Sequence, residues 1–268
     1  MTHITPAPDP RFGEQGGLLT YSDYLRLADL LAAQVPESDP ASHDELLFIT
    51  IHQVYELWFK LLLAELSDAR DRMLVAGETY LPRVRLERCH VVERVLVGQV
   101  DVIDTMTPQD FLAFRTKLAP ASGFQSVQFR EIEFLSGLKD PDFLHRFRRL
   151  PPAERARLER RLAEPSLWDG FLAVLARAGF PVGDAEARFA AYARIAADRE
   201  RFGPLWDLAE ALVAHDQAFS LWRARHVLMA ERQIGTKPGT GGSAGGAYLR
   251  SRVETRFYPE LWELRSRL

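Results

Sequence analysis

Residues 43–66 read HDELLFITIHQVYELWFKLLLAEL. Apolar residues recur through this stretch at spacings of three and four, the period of a helix with a buried face, and no alternating β-branched pattern competes with it. The spacing predicts a long helix from about His43 to Val75. A second, from about Arg83 to Met106, follows after a short connection, so the two read as the main antiparallel helices of a bundle.

Outward from this pair, Leu, Ala, Arg and Glu dominate at the same spacing and Asn-Gly hairpin turns are absent, which sets the fold class as all-α. Residues 1–18 are rich in Pro and Gly and read as an extended N-terminal arm; Thr20 then caps a first helix over Tyr21–Gln34. Thr107 and Pro108 open a helix that stops at Pro120, the turn PASG occupies residues 120–123, and another helix starts at Phe124. Residues 139–203, broken at Pro141, Pro151, Pro165 and Pro181 and bounded by Pro204, read as several short helices forming a supporting subdomain. A strong helix from Pro204 to about Gln233 gives way to residues 234–246, IGTKPGTGGSAGG, which hold six of the chain's 17 glycines.

A length of 268 residues with 47% hydrophobic and 26% charged residues describes one ordinary globular domain. The net charge of −3 comes from interspersed residues of both signs, without the basic stripe that nucleic acid requires. Cys89 is the only cysteine, which excludes an internal disulfide and multi-cysteine metal sites and fits a reducing compartment. The N-terminus MTHITPAPDPRFGEQGG has neither a charged nor an apolar signal region, and no stretch approaches the roughly 18 uninterrupted apolar residues of a membrane span. The expectation is a cytoplasmic protein with no membrane or nucleic-acid partner.

Two of the seven histidines stand out by context. His52 is in mid-helix in FITIHQVYELWFK, with Phe48 one turn before it and Tyr55 and Glu56 one turn after; read alone, a packed core histidine is the more economical account. His226, in LWRARHVLMAERQIG, has Trp222 one turn earlier and Ala230 one turn later, an environment that suits a flat cofactor and ordinary packing equally well. A carboxylate di-iron bundle needs two Glu-x-x-His motifs, and Glu87 to His90 is the one match, so that reading is rejected. GTGGSAG imitates a dinucleotide fingerprint but follows a helix where that motif follows a strand. A lid is the better physical reading of the glycine stretch, with Thr240 and Ser243 offering hydroxyls, against the plain alternative of a surface loop. Phe111 and Arg115 share a helix face just upstream of PASG, where the arginine suits either a carboxylate clamp or the commoner solvated surface.

In order along the chain, LTYSDYLRL, HDELLFITIHQVYELWFKLLLAEL, PASGFQSVQFREIE, LWRARHV, GTGGSAG and FYPELWELR closely resemble the tryptophan 2,3-dioxygenase family, over nearly the whole length. The resemblance implies an all-α helical-bundle haem protein of the tryptophan/indoleamine dioxygenase type with an extra small helical subdomain. It implies haem b, ferrous in the active form, and O₂ inserted across the indole C2–C3 bond of L-tryptophan to give N-formyl-L-kynurenine, the first step of the kynurenine pathway. By the same resemblance His226 is the axial iron ligand, and His52 is the distal residue that positions the indole N–H. Phe48 and Phe111, the latter a tyrosine in some members, wall the indole, and Arg115 pairs with the substrate carboxylate. Thr240 meets the substrate ammonium and carboxylate as the lid over 234–246 closes, while Ser122 and Gly123 line the haem edge. Tyr21, Tyr24 and Leu25 match a helix that completes a neighbouring subunit's site in a homotetramer. The alternative is a haem monooxygenase of the same fold acting on a modified tryptophan in secondary metabolism.

Overall fold

The structure, a computed structural model, describes residues 18–146, 150–242 and 244–268. All of the expected N-terminal arm but Leu18 lies outside the described residues, as does Ser243.

Thirteen α-helices are present among the described residues and no strand. Thr20 caps α1 (Tyr21–Leu25), its hydroxyl accepting from the Asp23 N–H at 3.1 Å. The single helix expected over Tyr21–Gln34 is two pieces, because Arg26 sits in the left-handed region at φ 53° and ends the hydrogen-bond ladder before α2 (Leu27–Leu31) begins. The Arg26 guanidinium closes on Asp29 of α2, with Nε at 2.9 Å.

The two predicted bundle helices are α3 (His43–Ala76) and α4 (Tyr80–Ile103), joined where Gly77 takes φ 68°. Next comes α5 (Pro108–Leu118), with Thr107 as its cap and Pro108 at the first turn. Residues 123–125 form a 3₁₀ turn, and α6 (Val127–Ser136) starts later than Phe124 because Ser126 is the cap, its hydroxyl accepting from the Phe129 N–H at 3.1 Å. The proline-punctuated region forms α7 (Asp142–Arg146), α8 (Pro152–Ala163), α9 (Leu167–Arg177) and α10 (Ala185–Ala197). Then α11 (Arg199–Ile234) kinks at Phe202, so Pro204 lies in the first turn past the kink, where its missing N–H costs nothing. The chain closes with α12 (Gly246–Ser251) and α13 (Pro259–Arg267).

Helices α3 and α11 each pack along α4, while α6 and α9 cover α3, and α10 and α13 close on α11. Leu62, Leu66 and Met73 of α3, Leu86 and Cys89 of α4 and Leu208 and Leu212 of α11 are fully buried in one core, which Phe171 of α9 and Tyr192 of α10 also enter. Each such leucine contributes about 1.5–3 kcal/mol of burial free energy. Phe143 of α7 and Leu158 of α8 form a smaller cluster with Val127 and Phe134 of α6.

Polar groups tie the layers together inside this core. Asp216 of α11 is fully buried, and one of its carboxylate oxygens accepts from the backbone N–H groups of Phe257 and Tyr258, at 2.9 and 3.1 Å, and from the Trp262 indole N–H at 2.9 Å. A single side chain thus fastens the C-terminal segment FYPELW to the long helix. Replacing it would strand three donors away from water. Asp216→Ala is expected to lower unfolding stability by about 3 kcal/mol or more, at roughly 1–3 kcal/mol for each buried donor left without an acceptor, as read by denaturant unfolding.

Candidate functional site

A cavity enclosing about 1650 Å³ of empty space, its open mouth included, lies among α3, α4, α5, α6, α11 and α12. Phe48, His52, Phe111, Arg115, Ser122, Gly123, Thr240 and His226 all line it. Tyr21, Tyr24 and Leu25 do not: α1 holds them outward, 75%, 72% and 40% exposed.

Phe48 and His52 are one turn apart on α3, and their rings stand 4.1 Å apart. Phe111 of α5 stacks on Phe48 at 5.6 Å and 24° between planes, so two aromatic faces form one wall. His52 Nδ1 lies 2.7 Å from the Phe48 carbonyl oxygen. That oxygen can only accept, so Nδ1 carries the proton and Nε2 is left as an acceptor. Burial lowers the His52 pKa against the pull of the carbonyl, which keeps the ring neutral.

His226, on α11, shares the cavity with His52. Its imidazole lies parallel to Trp222, with ring centroids 5.1 Å apart and planes at 17°, and makes no hydrogen bond among the described residues. Burial, helped by the nearby His52, pushes its pKa down to about 4. Trp222 is itself seated on Phe129 at 5.1 Å and meets Tyr55 edge-on at 6.1 Å. A neutral ring in a fixed plane with an unshared nitrogen is the form of histidine that binds a metal.

The mouth is built by α5, the PASG turn and the glycine stretch. Arg115 donates to the Pro238 carbonyl, and the Thr240 hydroxyl donates to the Ala121 carbonyl at 2.7 Å. A Cβ at Gly241 would stand 2.7 Å from the Ser122 Cβ, and one at Gly245, where φ is +60°, 2.5 Å from the Lys237 carbonyl oxygen. Glycine is therefore required at both positions for the loop to lie against the turn.

Sequence reading missed the charged end of the cavity. Glu133 of α6, 2% exposed, accepts from both Arg130 and Arg223, the latter at 2.8 Å, and Arg252 borders the same space. Arg223 was open to discovery, since it precedes His226 by three residues on one helix face; Arg252 carried no signal, because only the chain's return through α12 brings it here.

A sequence profile of the tryptophan 2,3-dioxygenase family matches residues 7–178 and 184–268. The tryptophan 2,3-dioxygenase of Nocardioides sp. is 61% identical over 261 residues, covering 96% of this chain and 97% of its own. That of Herpetosiphon aurantiacus is 46% identical over 260 residues, covering 93% and 98%, and that of Caulobacter vibrioides is 44% identical over 264 residues, with the same shares.

The loop geometry is testable on its own. Gly245→Ala is expected to detach the glycine stretch, with faster hydrogen exchange over residues 236–246 and unchanged global unfolding. Wild-type exchange in that variant would show that the close approach to Lys237 does not hold the loop.

Proposed function

The chain belongs to the tryptophan 2,3-dioxygenase family, and on that basis we propose that its cavity holds haem b on His226 and L-tryptophan between His52, the Phe48 and Phe111 rings and Arg115. The protein is an oxidoreductase, a dioxygenase that inserts O₂ across the indole C2–C3 bond of L-tryptophan to give N-formyl-L-kynurenine, the first step of tryptophan degradation by the kynurenine pathway. The relatives give no support to a monooxygenase of modified tryptophans. The family depends on haem.

The residues fit that group. His226 is neutral, free of hydrogen bonds among the described residues and held in plane by Trp222, while Val100, Ile103, Met106 and Met229 supply apolar walls. Bound there, ferrous haem supplies the iron centre at which O₂ becomes reactive toward the indole.

The chain's own side chains orient the substrate. His52 Nε2 accepts the indole N–H, its availability fixed by the bond from Nδ1 to the Phe48 carbonyl, so His52 is a positioning acceptor and no proton need leave the ring. Phe48 and Phe111 set the indole plane. Arg115 exchanges the Pro238 carbonyl for the substrate carboxylate, whose two oxygens match its planar fork. Thr240, released from Ala121, meets the ammonium and carboxylate, and closure of the lid over Ser122 and Gly123 excludes water.

The same reading makes the whole chain one cytoplasmic haem dioxygenase domain, braced by residues 139–203. It works as a homotetramer in which Tyr21, Tyr24 and Leu25, exposed on a single chain, complete a neighbour's site.

The convergence of two neutral imidazoles, an aromatic slot and a guanidinium on one cavity carries this reading. His226→Ala is expected to purify without a haem Soret band; full haem loading of that variant would refute the ligand assignment. Arg115→Ala is expected to raise KM for L-tryptophan, with about 2 kcal/mol or more of binding lost. An unchanged KM would remove the clamp.

A further inference from the structure

The charged end of the cavity holds more positive charge than its own residues neutralise. Arg130, Arg223 and Arg252 all border it, and Glu133 is the carboxylate that two of them share. Arg130 is 6% exposed, its guanidinium lies 3.8 Å over the Phe143 ring, and its Nε has no hydrogen-bond partner among the described residues. Arg223 is better satisfied, donating to Glu133 at 2.8 Å and to the Thr255 carbonyl at 3.1 Å. Arg252, at the end of α12, makes no ion pair among the described residues, yet its charge acts on Arg130, as does the neighbouring Tyr248. A buried guanidinium with an orphaned donor, beside a second unpaired one, is costly unless an anion arrives. Burial pulls the Arg130 pKa down, in the sense expected of a cation short of counter-charge.

Three guanidinium groups against one carboxylate leave two positive charges, and the porphyrin that the preceding reading seats on His226 carries two ionised propionates. Resting on that reading, we propose that Arg130 and Arg252 are the carboxylate-binding residues for the haem propionates, with Glu133 and Arg223 fixing the Arg130 guanidinium in place. Charge-assisted bonds from Arg130 Nε and from the open Arg252 fork neutralise both ends. Arg252 closes the helix that directly follows the glycine stretch, so holding a propionate also anchors the far end of the lid.

The test uses two porphyrins and one variant. Removing Arg130 would leave the buried Glu133 with Arg223 as its one remaining cationic partner and disturb the core around Phe143, so the change is Arg252→Met, at a half-buried residue without an ion pair among the described residues. Wild-type and variant proteins are loaded with protohaem IX or its dimethyl ester, and porphyrin loss to excess apomyoglobin is timed. Wild type is expected to release the ester about a hundredfold faster than protohaem, two charge-assisted hydrogen bonds being lost at about tenfold each, and Arg252→Met to release protohaem about tenfold faster than wild type, one such bond being lost. The variant's release of the ester should match wild type. Equal retention of the two porphyrins by wild type, or equal acceleration of both in the variant, would overturn the assignment. So would an Arg252→Met protein that keeps its haem but binds L-tryptophan more weakly, which would give the arginine to the substrate carboxylate. If wild type develops a Soret band with neither porphyrin, the haem reading itself fails, a result distinct from any of these.

Discussion

Helices α3 and α11 are both tied to α4 and scarcely approach each other. The cavity lined by His52 and His226 depends on that separation. Had the two longest helices packed directly, His52 and His226 would be adjacent core residues with no room between them. Instead Tyr55, Phe59, Phe129 and Trp222 plug one end of the gap with large rings, and beyond them the space opens as the cavity. Aromatic side chains suit this role, since few groups bury much area and hold the helices apart without gaining mobility.

The gap is held open by polar anchors as well as by packing. His215 of α11 is fully buried with Nδ1 2.5 Å from Glu93 of α4 and Nε2 2.8 Å from the Ser136 hydroxyl of α6, so one ring fixes three helices at a common level. Asp216, its neighbour, fastens the C-terminal segment by three donors. Tyr55 adds a bond from its hydroxyl to the Leu96 carbonyl of α4 at 2.9 Å. Buried polar groups of this kind stabilise only when their partners are in place, so they select one arrangement of the helices over its near alternatives.

Each side chain in the site is set by a neighbour whose role is mechanical. The Phe48 carbonyl chooses the His52 tautomer, Trp222 chooses the His226 ring plane, and Ser122 and Lys237 choose glycine at 241 and 245. The glycine stretch is held against the rest of the mouth by two bonds, from Arg115 to the Pro238 carbonyl and from Thr240 to the Ala121 carbonyl. In the proposed function the same two donors meet the substrate, so binding would exchange one set of acceptors for another.

The sequence by itself determined the all-α class, the long helices around residues 43–75 and 204–233 and the Thr107 cap, because these depend on periodicity and on groups within a turn of one another. It determined less at the N-terminal helix, where Arg26 interrupts a good helical pattern, and at the helix expected from Phe124, which begins at Val127 because Ser126 caps it. Neither histidine was decided by its own surroundings, since apolar neighbours at three and four residues describe a packed ring and a ligand alike. Order along the chain, compared with a known family, singled them out. Only the tertiary structure brought His52, Arg115, Thr240 and His226 onto one cavity and returned Arg252 to Arg130, because contacts between residues this distant in sequence arise from how helices pack, and no local pattern encodes them.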